Sequence, residues 1–150
     1  MPGEDIEKHN VPDKKTKHDA ILKAAADGDV EKTKKLADGY VDIDDARDSK
    51  GRTPLHLSCK KDSETVADIL ICSEANVDAP DCEGMRPLHY AALYGAFNTT
   101  KLLLKCDAEV NVKDLKGDTP LDKARASDSL EKHKVAALIS GAGGLTGEDI

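Results

Sequence analysis

Apolar positions along the chain fall in short blocks at helical spacing, and no block is long enough for one extended helix. Leu55, Leu57 and Cys59 form one block, and Val66, Ile69 and Leu70 form the next. Polar Lys60-Lys61-Asp62-Ser63 separates them. The spacing of Val66, Ile69 and Leu70 is that of the buried stripe of an amphipathic helix. Leu102 and Leu103 carry the same stripe further on. The predicted elements are pairs of short helices, each pair followed by a polar loop such as Glu74-Ala-Asn-Val-Asp78 or Ala108-Glu-Val-Asn111.

The blocks recur in register. Asp48-Ser-Lys-Gly-Arg-Thr-Pro-Leu-His-Leu-Ser-Cys59, Asp81-Cys-Glu-Gly-Met-Arg-Pro-Leu-His-Tyr-Ala-Ala92 and Asp114-Leu-Lys-Gly-Asp-Thr-Pro-Leu-Asp-Lys-Ala-Arg125 each start 33 residues after the one before. Asp, Gly, Pro and Leu hold the same places in all three. A weaker copy lies upstream, Ala24-Ala25-Ala26-Asp27-Gly28-Asp29 with Val30 to Leu36 behind it. Gly28 falls 34 residues before Asp62, which implies one inserted residue near 43–45. Asp-x-x-Gly predicts a tight turn, with Gly supplying a positive φ. Thr53 and Thr119 are placed to cap a helix, and Pro54, Pro87 and Pro120 sit where the first helical residue needs no N–H. One such helix pair cannot bury its apolar stripe alone, so neighbouring pairs must stack.

A 33-residue period with Thr-Pro-Leu-His behind a turn resembles the ankyrin repeat, over about residues 18–139. The resemblance implies an all-α fold, an α-solenoid of about four repeats with projecting β-hairpin turns, at about 18–47, 48–80, 81–113 and 114–139. Departures from the pattern are Arg86 in place of the capping Thr, Asp62 in place of the inter-helix Gly, Asp122 in place of His, and a polar, lengthened stretch from Ala126 to Lys134. Residues 1–17 are rich in charge and residues 140–150 in Gly. Neither offers enough apolar surface to offset the entropy of ordering, so both are expected to be flexible tails.

Composition narrows the function classes. The 150 residues hold one Phe, three Tyr and no Trp, so the core must be aliphatic and Ala-rich. No run approaches the roughly 18 apolar residues of a membrane span, and residues 1–16 carry no apolar signal-peptide region. The net charge of −7 argues against generic nucleic-acid binding. Cys59, Cys72, Cys82 and Cys106 show no tight ligand spacing and read as free thiols of a reducing compartment, the cytoplasm or the nucleus.

Catalytic and metal chemistry find no constellation. No phosphate loop, GxSxG or HExxH is present. Ser58 and His56 are two residues apart on one short helix, where side chains diverge. His56 and His89 recur at the repeat period. The resemblance makes them residues that hydrogen-bond between neighbouring turns, and repeat-equivalent side chains form a file instead of the convergent set a zinc ion needs. Cys59 occupies the slot of Ala92 and is expected to be inert packing. Cys82 is expected at an exposed turn tip. No cofactor is implied, and the chain is expected not to be an enzyme.

The resemblance also implies a concave binding face made from the turn tips and the open side of each first helix. The corresponding positions are Ser49, Lys50, Arg52, Lys60 and Lys61, then Cys82, Glu83, Met85, Leu93 and Tyr94, then Leu115, Lys116, Asp118, Ala126 and Ser127. Between Asp48 and Pro80 every basic residue falls on such a position: Lys50, Arg52, Lys60 and Lys61. An acidic protein should thus carry a local basic patch. Beside it, Met85, Leu93, Tyr94 and Leu115 are large apolar groups expected at the surface, which is how interface cores are composed. The expected partner is another protein with acidic or phosphorylated residues beside an apolar anchor, bound by a monomer. The alternative is a regulatory or inhibitory subunit acting on a partner enzyme. The terminal Gly-Glu-Asp-Ile150 weakly resembles a ligand for a groove that captures C-termini.

Overall fold

The computed structural model describes residues 14–38 and 43–150. Eight α-helices lie among them: α1 (Lys14–Asp27), α2 (Val30–Ala37), α3 (Pro54–Lys61), α4 (Glu64–Cys72), α5 (Pro87–Leu93), α6 (Phe97–Lys105), α7 (Pro120–Ala126) and α8 (Lys132–Gly141). A single 3-10 turn, Ile43–Asp45, lies at the expected insertion. No strand is formed among the described residues. The odd-numbered helices pack side by side as an inner row, and the even-numbered helices form an outer row behind them. The result is an all-α solenoid of four helix pairs.

The local reasons for these elements are visible at each helix start. Thr53 and Thr119 cap α3 and α7 through their hydroxyls, and the third helical residue returns the bond: Thr53 N–H donates to His56 Nδ1 at 3.0 Å, and Thr119 N–H to Asp122 Oδ2 at 3.0 Å. Arg86 has no acceptor to offer. Only the returning half survives at α5, where Arg86 N–H donates to His89 Nδ1 at 3.0 Å. Leu55, Leu88 and Leu121 follow the prolines and are buried between the rows with Val66, Leu70, Leu103, Val135 and Ile139.

Asp62 departs from Gly for a reason that lies in the next repeat. Its backbone is left-handed, φ 57°, where Gly28 and Gly95 stand at φ 70° and 65°. The α6 helix has Ala96 at its N-cap, a residue with no capping group. Asp62 supplies one across the repeat boundary: its Oδ1 accepts the Thr99 N–H at 3.0 Å and the Thr99 hydroxyl at 2.9 Å. A positive φ in a residue with a Cβ is exchanged here for a carboxylate at the positive end of a helix.

Between helix pairs, the loop ahead of each turn is tied to the loop that follows. Asp44 accepts Asn76 N–H at 3.0 Å, Asp78 accepts Glu109 N–H at 3.0 Å, and Asn111 accepts Leu145 N–H at 2.7 Å. The third of these ties corrects the expectation of an unattached Gly-rich tail. Residues 140 and 141 belong to α8, and the segment after it lies against the last repeat. Asn111 also donates to Gly143 O, Thr119 donates to Leu145 O at 2.6 Å, and Gly147 N–H donates to Asp122 Oδ2 at 2.8 Å. Gly144 packs on Ile139 so closely that a Cβ would meet Ile139 Cγ2 at 2.5 Å. Backbone hydrogen bonding, which composition does not register, holds this segment. At the other end α1 starts at Lys14; the rest of the expected N-terminal tail, residues 1–13, lies outside the described residues.

Two stability measurements check this packing. Leu88→Ala should cost about 2–5 kcal/mol in urea unfolding, because its side chain is wholly buried between neighbouring repeats. Asp62→Ala should cost about 1–3 kcal/mol, losing the cap while keeping the unfavourable backbone, and Asp62→Gly should cost less, because glycine tolerates that backbone.

Candidate interaction face

The turns ahead of α3, α5 and α7 project from the inner row as three fingers. In each, one Asp organises the backbone. Asp48 Oδ1 accepts the N–H groups of Lys50 and Arg52, Asp81 Oδ1 those of Glu83 and Met85, and Asp114 Oδ1 those of Lys116 and Asp118, all at 2.8–3.0 Å. The fingers also join edge to edge, Cys82 N–H donating to Lys50 O at 3.0 Å and Leu115 N–H to Glu83 O at 2.9 Å. Gly51, φ 75°, sits under this seam: a Cβ there would meet Cys82 N at 2.9 Å.

The second oxygen of each finger Asp takes a different donor in each repeat. Tyr90 gives its hydroxyl to Asp81. Lys123, at the equivalent position of α7, gives its ammonium to Asp114 at 3.2 Å. Leu57 holds that position in α3 and has nothing to donate, so Arg52 Nε turns back to Asp48 at 2.7 Å. Partial burial alone would raise the Asp48 and Asp114 carboxyls, but their backbone and side-chain donors outweigh it and hold both below the usual carboxylate range.

These bonds alter the expected binding face. Met85, expected at the surface, is 4% exposed and belongs to the core. The fifth finger position finds a different environment in each repeat. There Arg52 satisfies its charge on Asp48, Asp118 satisfies its charge on Lys123 at 3.2 Å, and Met85 has only burial available. Arg52 is half-buried, and its charge is shared with Asp48. Lys50, Lys60, Lys61 and Lys116 are exposed, and Leu115 stands out from its finger with 79% of its surface open. Leu93 is half-buried at the end of α5, where its carbonyl accepts the Ser127 hydroxyl at 2.7 Å.

The inner row brings Lys60 and Tyr94 together. Lys60 Nζ stands 5.4 Å from the centroid of the Tyr94 ring, a cation–π contact. Tyr94, 43% exposed, lies parallel to Tyr90 at 6.3 Å, and Tyr90 meets His56 edge-on at 5.2 Å. Lys61 stands beside Lys60, and a pocket of about 260 Å³ opens between α1 and α3, lined by Ala26, Arg52, Leu57, Lys60 and Lys61. Tyr90, Leu57 and Ala26 were not among the expected face residues. For Leu57 and Tyr90 the signal in the sequence is variation: Leu57, Tyr90 and Lys123 put three different side chains at one repeat position.

His56 and His89 have structural duties that the geometry defines. Nδ1 of each accepts a backbone N–H of its own cap, so Nε2 carries the proton. That proton goes to the next finger, His56 to Met85 O at 2.8 Å and His89 to Asp118 O at 2.9 Å. Burial pushes both imidazoles down, His56 to about 4. Among the described residues no group of three or more His, Cys, Asp or Glu is placed to hold a metal. Cys59 is buried, and burial pushes its thiol up; Cys82 is exposed. No helix among the described residues is long and apolar enough to cross a membrane.

Comparison with protein-family models matches ankyrin repeats three times, at residues 4–81, 21–114 and 76–142. With most of its length covered, the chain belongs to the ankyrin-repeat family. Ankyrin repeats are generally protein–protein interaction modules, typically without catalysis of their own. A comparison with curated protein sequences gave no significant match.

The buried imidazoles make stability fall with acid. His56 is neutral when folded at any pH above about 4, whereas unfolded it takes a proton near 6.5. Stability should therefore be full above about pH 6.5, decline as pH falls toward 4, and lose roughly 3 kcal/mol on this account. Chemical denaturation between pH 7 and 4 checks this, and His56→Gln should flatten the decline.

Proposed function

We propose that this chain is a non-catalytic recognition module that binds another protein, as a monomer, through the inner row of helices and the finger edges. The observation that carries this reading is the exposed pairing of Lys60 with Tyr94 across the α3–α5 boundary, with Lys61 and half-buried Leu93 beside it. A lysine held over an aromatic ring presents charge and apolar surface in one place. The fingers that frame it are hydrogen-bonded to one another, so a ligand meets a preformed surface and binding orders little. The fitting partner carries acidic or phosphorylated residues next to an apolar anchor. The lysines would mainly steer encounter, and Tyr94 with Leu93 would supply the desolvated contact. The four free cysteines suit a reducing location, the cytoplasm or the nucleus.

Affinity capture from a cell extract with wild type, followed by binding assays on the partner obtained, tests the reading. Tyr94→Ala should weaken binding at least about tenfold with the melting temperature held. Lys60→Glu with Lys61→Glu should slow association, most at low salt. A partner indifferent to both changes would move the site off the inner row.

A further inference from the structure

We propose that the pocket between α1 and α3 is a subsite for a single carboxylate side chain of the bound protein, a glutamate in an extended or turn segment. The proposal rests on the inner row being the binding face. Its lining is Ala26, Arg52, Leu57, Lys60 and Lys61: two apolar groups, three cations and no acid. Two larger clefts have no such polarity. The one between α2 and α4 sets Lys34 and Lys35 against Glu31 and Asp68. The one beside the C-terminal segment sets Lys116 and Arg125 against Asp118, Asp122 and Glu148. In a chain of net charge −7, a concave pocket with only cations among its charged walls marks a place for a partner's anion.

The acids nearest in sequence do not fill that role: Asp27, beside Ala26, is exposed and is not part of the lining. Asp48 is spent on Arg52 Nε and on two backbone N–H groups, and Asp62 is turned toward Thr99 in the next repeat. With Nε held by Asp48, the Arg52 guanidinium is fixed in orientation. Among the described residues its terminal nitrogens make no hydrogen bond, and they are the fork that matches a carboxylate. Lys61 is exposed, and its ammonium has no partner among the described residues. Leu57 and Ala26 give the methylenes of a glutamate an apolar wall, a role they could not fill for a bare phosphate. Lys60 links this subsite to the Tyr94 ring, so an apolar residue adjacent to the glutamate reaches Tyr94 and Leu93.

The test is selection of a random peptide library displayed on phage against the full chain, followed by fluorescence polarisation with the enriched peptides. Peptides carrying Glu or Asp next to an aliphatic or aromatic residue are expected. Replacing that Glu by Gln should weaken binding about tenfold, Lys61→Ala should do the same, and the two losses should not add, which identifies a shared contact. Arg52 is left intact in these variants because it holds its finger. A peptide weakened by Tyr94→Ala, but indifferent to Lys61→Ala and lacking an essential acid, would overturn the subsite and leave the binding face standing. Peptides indifferent to both variants, or no enrichment at all, would count against face and subsite together. Tighter binding when phosphoserine replaces the Glu would reassign the pocket to a phosphate.

Discussion

The second and third repeats each depend on a hydrogen bond they cannot make within themselves. The imidazole that closes the cap of an inner helix sends its remaining proton to a carbonyl in the finger of the following unit. The same side chain thus fixes the start of a helix and the distance to its neighbour. Because both imidazoles are buried, a slip between units would leave their donors without a partner or water. The cross-repeat cap from Asp62 and the loop ties at Asp44, Asp78 and Asn111 repeat this arrangement on other levels of the stack. Apolar burial drives the units together, and these polar links set their register.

That register is what gives the inner face a usable shape. Lys60 and Tyr94 belong to different repeats, and they meet only because α3 and α5 are held at one spacing. The file of His56, Tyr90, Tyr94 and Lys60 runs from a buried imidazole to an exposed ammonium. The binding surface is therefore the outer end of a structure rooted in the core, and substitutions at its inner end would disturb scaffold and surface together.

Much of this was readable in the sequence, and the reasons differ by residue. The repeat period, the proline positions, the Thr caps and the buried Leu88 follow from local rules that act within a few residues. Met85 was misplaced because the rule applied to it assigned exposure by position alone. Its actual environment, like the half-buried one of Arg52, depends on whether Tyr90 or Leu57 can reach the finger Asp, a compensation between positions. Asp62 and Asp122 were visible as departures, but their partners, Thr99 and Gly147, lie 37 and 25 residues away. The C-terminal segment was misjudged because Gly-rich composition counts apolar area and overlooks backbone donors and acceptors.

The reversal at Asp122 sets a limit on the modularity of the chain. His56 and His89 present a proton to the unit that follows, whereas Asp122 presents a lone pair and receives the Gly147 N–H. The fourth helix pair is thus polarised differently from the second and third along the axis of the stack. Copied into an interior place, it would set a carboxylate against the carbonyl of the next finger, two acceptors with no proton between them. The order of the units is consequently written into their chemistry, and the array cannot be shuffled like identical bricks.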